Sequence, residues 1–291
     1  MESSLERAGL TLTYRPPIAW DALLTFLAAR AAPATECVHD GVYARTMRIG
    51  DSAGEVRVSR AEAAPSSETS VLRLEVSATL RPVINDVAAR MRRLFDLDAE
   101  PETIASHLER GGFAPILGEA RGLRVPGAAD GFELAVRAIL GQQVSVKGAS
   151  TLMSRVTASF GEPIDTGNPT LSRLPATAAR IAAASPSEIA ALGMPVARAA
   201  TIHTVAVEVA EGRLRLESEA DVPALSHQLL RLPGIGPWTA EYILMRATHW
   251  ADAFPASDLV LRRAAGGLTP AQLIRAAERW RPWRAYAAMH L

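Results

Sequence analysis

The chain has 291 residues, 48% of them apolar, enough for one large core or two moderate ones and too apolar for disorder as the main state. Lysine plus arginine and aspartate plus glutamate number 31 each, so net charge alone argues against a generic nucleic-acid binder. A single cysteine, Cys37, excludes an internal disulfide and fits a reducing cytoplasm, and neither a leader nor a run of about eighteen apolar residues suggests secretion or membrane spanning.

Residues 1–90 mix two hydrophobic periods. Leu72, Leu74, Val76 and Ala78 alternate with Arg73, Glu75, Ser77 and Thr79, as in a half-buried strand, and Val56 and Val58 repeat the pattern in Glu55–Arg60. Gly50-Asp-Ser-Ala-Gly54 reads as the turn before it. With Leu10–Tyr14 and Val42–Ile49 this predicts a small antiparallel sheet, covered on one face by helices at Trp20–Ala31 and Ile84–Leu94. In the first helix Trp20, Leu23, Leu24 and Leu27 form the core stripe, while Phe26 points away from it. Cys37 reads as a small buried hydrophobe.

After Asp98 the pattern turns helical. Phe132–Leu140 and Ser145–Phe160 flank Gly141-Gln142-Gln143, and Ser185-Pro-Ser-Glu188 and Thr269-Pro-Ala-Gln272 are capping boxes with proline at the first helical position. Val196–Glu211, Pro223–Arg231, Pro237–Thr248, Leu259–Ala265 and Thr269–Trp280 complete the helical region. From Ser226 to the end, eight arginines face four acids, a net +4 that gathers positive charge there.

Leu232-Pro-Gly-Ile-Gly-Pro-Trp238 reads as helix, tight hairpin, helix. Gly234 and Gly236 permit backbone angles that side chains forbid, and Pro237 suits a first helical position. Such a turn aims backbone N–H groups outward at a helix N-terminus, a seat for phosphate that needs no lysine. A plain helix-to-helix turn is the alternative. Downstream, Phe254-Pro-Ala-Ser-Asp258-Leu259 sets an acid just before an arginine-bearing helix, where Asp258 is either a functional carboxylate or an N-cap, a task Ser257 also suits.

Leu232 through Tyr242, followed by Phe254 through Asp258, resembles the helix-hairpin-helix (HhH-GPD) DNA glycosylases, and among them the 3-methyladenine, AlkA-type branch. The similarity runs along nearly the whole chain, through Pro16-Pro17, Phe26–Arg30, Tyr43–Arg45, Arg93–Leu97, Val136–Gln142, Ala191–Pro195, Ala277–Trp280 and Pro282–Arg284. It implies an α+β fold: a small antiparallel β-sheet N-terminal domain of the AlkA, TBP-like kind over residues 1–90, then an all-α HhH-GPD glycosylase domain over 91–291. It also implies a monofunctional enzyme of base excision repair that hydrolyses the N-glycosidic bond of alkylated bases, 3-methyladenine and related alkylpurines, in double-stranded DNA. A monomer in the bacterial cytoplasm, at the nucleoid and not in a membrane, is expected. The alternative is a non-catalytic hairpin protein that binds DNA and keeps Asp258 as a cap.

An enzyme that acts on a DNA base must hold the backbone, fill the gap and receive the flipped base. The resemblance gives the grip to Leu232, Gly234, Ile235, Gly236 and Thr239; Lys147, in the helix after the glutamines, is either a phosphate contact or a solvated surface residue. Gln142 or Gln143 fills the gap, unless both are merely solvated; the AlkA-type branch carries an aliphatic residue where this chain has Gln143. Trp238 and Tyr242, four apart on one helix, form the pocket with Leu259 and with Phe26 reaching in from the N-terminal domain. Core packing is their ordinary reading. An alkylated purine is cationic, and ring faces attract cations.

Asp258 is the catalytic candidate, because breaking the bond to the sugar develops positive charge that a carboxylate stabilises. The branch has a second acid where this chain has Ser257. Glycosylases that also nick the strand use a hairpin lysine in the place of Trp238; Lys147 is the sole lysine here, so hydrolysis without a lyase step is expected. No cofactor and no catalytic metal is expected, since His39, His107, His203, His227, His249 and His290 lack zinc spacing. By resemblance, carbonyls of Leu230, Leu232 and Ile235 hold a Na+ or K+ that links hairpin to DNA. The branch also has a tryptophan wall just past the pair matching His290-Leu291, a wall expected to be missing here.

Overall fold

A computed structural model describes residues 7–61, 70–113, 120–217 and 221–291. Five strands, β1 (Arg7–Thr13), β2 (Glu36–His39), β3 (Val42–Ile49), β4 (Ser52–Arg60) and β5 (Val71–Ser77), form one antiparallel sheet in the order β1-β5-β4-β3-β2. Alternation fixes the register: Leu72 lies opposite Leu12, Leu74 opposite Val58, and Val76 opposite Val56. All five strand-centre residues Val56, Val58, Leu72, Leu74 and Val76 are fully buried on the face covered by two helices, α1 (Trp20–Arg30) and α2 (Ile84–Leu94).

The predicted stripe of α1 is in place, with Trp20, Leu23, Leu24 and Leu27 buried. Sequence periodicity missed β2, which is too short to display alternation and gains its hydrogen bonds from β3. Strand β4 starts at Ser52, so the expected turn Gly50–Gly54 shrinks to its first residues, and β5 ends at Ser77, where Ala78–Val83 turns into a 3-10 helix. Cys37 is half-buried on β2, its Sγ 3.6 Å from the Thr170 hydroxyl, not a core residue as expected. A four-residue edge strand has too little cover to bury it.

The first core continues past the sheet through Met91, Leu94, Phe95 and Leu97, and takes in Ala129. A second core holds the helices α3 (Pro101–Leu108), α4 (Gly131–Leu140), α5 (Val146–Phe160), α6 (Ala178–Ala182), α7 (Pro186–Ala190), α8 (Val196–Ala210), α9 (Val222–Arg231), α10 (Pro237–Ala247), α11 (Leu259–Ala264), α12 (Pro270–Ala277) and α13 (Arg284–His290). Both predicted capping boxes form, at Ser185–Glu188 and Thr269–Gln272. The two cores are joined by an ion pair that sequence cannot display: Arg45 of β3 reaches Glu133 of α4 at 2.6 Å, both side chains being buried. A second oxygen-bearing partner, Glu36, meets the same guanidinium at 3.0 Å, so neither charge is left unpaired.

Candidate active site

The hairpin between α9 and α10 is seated from below. Ile235 is buried in the helical core, and Gly234 sits against α8 with φ 84°, where an added Cβ would come within 2.0 Å of Thr201 Oγ1. Glycine is required there on both counts. Gly236 differs from the expectation. As N-cap of α10 it has φ −95° and ψ 175°, which any residue adopts, and nothing lies within 4 Å of a Cβ built on it. Its bareness instead leaves the approach to α10 open. No side chain caps that helix, so its first N–H groups await an acceptor from outside.

Downstream, Phe254 is buried against Trp280, and its N–H donates to Glu241 Oε2 at 2.8 Å. Burial pushes the Glu241 carboxyl up, against the Phe254 N–H bond, which lowers it. This fastening fixes the start of the loop that ends at Asp258. Asp258, not Ser257, is the N-cap of α11: its Oδ1 accepts from the N–H of Val260 at 2.8 Å and of Leu261 at 3.0 Å. The other oxygen, Oδ2, accepts from Trp238 Nε1 at 2.7 Å. Capping and a directed carboxylate therefore coexist in one side chain, the half-buried Asp258.

A cleft of about 1100 Å³ opens beside this carboxylate, lined by Asp258, Trp238, Tyr242, Phe26, Leu259 and Arg30 among others. Trp238 and Tyr242 stack at 5.4 Å and 16°, as their spacing on α10 predicts. Phe26 approaches from α1, so sheet domain and helical domain supply opposite sides. Leu259 is 54% exposed at the mouth, beside Val260 at 74%. Ala288, Met289 and Leu291, around the position where a tryptophan wall was expected to be missing, line the same cleft.

The surroundings of Phe26 carry charge that the sequence reading did not foresee. The Arg30 guanidinium lies 3.6 Å above the Phe26 ring, and that of Arg246 lies 5.0 Å from the same ring. Arg246 also donates to the Tyr242 hydroxyl at 2.7 Å. Burial raises the Tyr242 phenol, but Arg246 and Arg30 outweigh it and hold the group below its ordinary value. One signal was available: Arg30 is four residues after Phe26, on the same helical face.

Other expected residues divide. Gln142 is committed inside the protein, its amide donating to the Gly234 carbonyl and to Thr239 Oγ1, each at 2.9 Å. Thr239 is correspondingly 2% exposed, so its hydroxyl faces Gln142 and not solvent. Ile235 likewise presents only backbone. Gln143 is exposed at the tip of the turn with φ 57°, next to exposed Val144 and Val146. Lys147 is exposed in the first turn of α5 and does not line the cleft, and Leu230 and Leu232 lie at the end of α9. Among the described residues, no three His, Cys, Asp or Glu side chains gather as metal ligands do.

Hairpin and acid thus face one cleft between a sheet domain and a helical bundle, which places the chain among helix-hairpin-helix proteins with room for an everted base. Residues 9–130 match the AlkA N-terminal domain, and residues 136–280 match the HhH-GPD superfamily base excision DNA repair proteins. Over 97% of its length, and 95% of the relative's, the chain is 42% identical to DNA-3-methyladenine glycosylase 2 of Escherichia coli (strain K12). It is 41% identical over its full length to the probable bifunctional transcriptional activator/DNA repair enzyme AlkA of Mycobacterium tuberculosis (strain ATCC 25618 / H37Rv), of which it covers 58%. The fold matches a 3-methyladenine DNA-glycosylase from Archaeoglobus fulgidus with a TM-score of 0.80 at 21% identity, covering 97% of this chain and 96% of that one. The chain belongs to the HhH-GPD superfamily and is a base excision repair DNA glycosylase.

Proposed function

We propose that the protein excises alkylated purines, 3-methyladenine among them, from double-stranded DNA in a single hydrolytic step, with Asp258 as the carboxylate that faces the sugar. The observation that carries this is Asp258 itself, at the wall of an aromatic cleft with hydrogen bonds fixing both oxygens. The Escherichia coli relative, matched along nearly its whole length, is named for 3-methyladenine.

Methylation leaves the base positively charged, so the electron pair of the bond to the sugar departs with the base and neutralises it. Positive charge passes to the sugar, where a fixed carboxylate stabilises it most. Water then adds to the anomeric carbon and gives its proton to Asp258. The stacked faces of Trp238 and Tyr242 attract the cationic ring before cleavage.

The bare start of α10 would bind a strand phosphate, with Lys147 adding a second contact outside the cleft. Gln143 would enter the duplex, because the amide of Gln142 is already engaged. Carbonyls of Leu230, Leu232 and Ile235 are neutral donors that suit Na+ or K+; that of Leu232 accepts the Ile235 N–H at 3.1 Å and keeps a second lone pair. Such an ion would tie hairpin to phosphate. One chain supplies both sides of the cleft, consistent with a monomer acting on chromosomal DNA in the cytoplasm.

Asp258→Asn keeps an oxygen for the helix N–H groups and removes the charge. Release of 3-methyladenine from alkylated duplex should fall by about a hundredfold or more while DNA binding persists. Release at the wild-type rate would overturn the assignment. Borohydride should trap no adduct on DNA; an adduct through Lys147 would refute hydrolysis in one step.

A further inference from the structure

Of the three guanidinium groups around Phe26 and Tyr242, one is fully committed. Arg246 donates to the carbonyls of Pro126 at 2.7 Å and Gly127 at 2.9 Å and to the Tyr242 hydroxyl at 2.7 Å. Arg137 also borders the cleft, but its buried Nη2 faces Glu36 at 3.8 Å and has no hydrogen-bond partner among the described residues. Arg30 is different. It lines the cleft, stacks on Phe26, donates to the Phe26 carbonyl at 3.2 Å and lies within reach of the Tyr242 hydroxyl. Among the described residues no carboxylate pairs with it, although burial lowers its pKa. A guanidinium has five N–H donors, so most of its hydrogen-bonding capacity is available to whatever enters the cleft.

This changes what the part of the pocket beside Phe26 prefers. One face of the Phe26 ring already carries Arg30, and a second positive charge beside that guanidinium is repelled. An oxygen or an unprotonated ring nitrogen on a neutral base is instead met by a charged donor. We propose that Arg30 is a specificity-determining residue that donates hydrogen bonds to acceptor atoms of the everted base, favouring neutral, carbonyl-bearing bases over cationic ones. Among the described residues no guanidinium lies over Trp238, so that ring serves the cationic class. The inference rests on the base-excising reading above and deepens it.

The test compares kcat/KM for two duplexes, one carrying hypoxanthine, a neutral base with a carbonyl, and one carrying 3-methyladenine. Arg30→Gln removes charge and fork, and Arg30→Lys keeps the charge and the apolar stem on Phe26. A ratio cancels common effects on strand binding or on the sugar cation. In Arg30→Gln the ratio should move toward 3-methyladenine by about tenfold or more, with a smaller shift in Arg30→Lys, which carries the test if the glutamine variant loses its fold. Equal falls for both bases, no change, or a shift toward hypoxanthine would overturn the role of Arg30, as would a wild type that leaves hypoxanthine in place. A wild type that releases neither base would defeat the alkylpurine reading first, and this inference with it.

Discussion

Trp238 Nε1 donates to Asp258 Oδ2 at 2.7 Å, so the residue that stacks as a pocket wall also aims the carboxylate. The indole comes from the first turn of α10 and the acid from the start of α11, and the backbone N–H groups of Val260 and Leu261 hold the second oxygen. The stacked wall of the cleft and the carboxylate are therefore coupled through one hydrogen bond.

Trp238→Phe keeps a ring against Tyr242 and removes the donor. Loss of a hydrogen bond to a charged group should lower single-turnover base release by about tenfold to a hundredfold, with little change in DNA affinity. Equal losses in both would show that the ring acts by packing alone.

Gly234→Ala meets both a positive φ and the Thr201 hydroxyl at 2.0 Å, and should destabilise the fold by about 3 kcal/mol or more. Gly236→Ala has neither problem. It should leave the melting midpoint within a few degrees of wild type yet weaken DNA binding, because its methyl stands where a phosphate would approach the start of α10. Calorimetry and anisotropy on one duplex separate the two outcomes; equal melting losses would contradict the asymmetry.

Gln142→Leu strips the Gly234 carbonyl and the Thr239 hydroxyl of their donor, uncoupling the turn after α4 from the hairpin. An abasic-site duplex should bind about fivefold more weakly. Gln143→Gly relieves a left-handed backbone and should stabilise the free protein by about 0.5 kcal/mol while slowing base release. A Gln143→Gly enzyme with full activity would remove the proposed wedge.

Asp96 and His249 lie 3.8 Å apart, and burial moves them in opposite senses, Asp96 up to about 6 and His249 down to about 4. Between pH 4 and 6 folded Asp96 keeps a proton that the unfolded chain has released, so its contribution to stability declines as pH rises. Folded His249 lacks a proton that the unfolded chain holds up to about 6.5, so its contribution grows. The slopes oppose. His249→Asn, tolerated at φ 57°, should tilt the stability curve downward from pH 4 to 6 relative to wild type, and Asp96→Asn should tilt it upward. Melting midpoints that stay parallel to wild type would refute the opposed shifts.

Much of the site could be read before any coordinates. Trp238 and Tyr242 share a face because a helix repeats every 3.6 residues, and Asp258 before an apolar helix is a cap by local chemistry. The strand faces of β4 and β5 and the stripe of α1 follow from alternation and helical spacing in the same way. Strand β2 escaped because its pairing is supplied by a neighbour, not by its own pattern.

What eluded the sequence is what depends on distant partners. Gln142 reads as a solvated glutamine until α4 is brought beside the hairpin, when its amide meets Gly234 and Thr239. Arg45 reads as a strand surface charge until α4 sets Glu133 against it.

By itself the order of residues determined the hairpin, its aromatic helix and the capped acid, since each is governed by dihedral preference and short-range periodicity. Only the tertiary structure decided that Arg30 would lie on Phe26, that Trp238 would hold Asp258, and that two domains would enclose one cleft. Hydrogen bonds and charge contacts act over a few ångströms of space, and no spacing along the chain encodes which remote groups packing will bring within that reach.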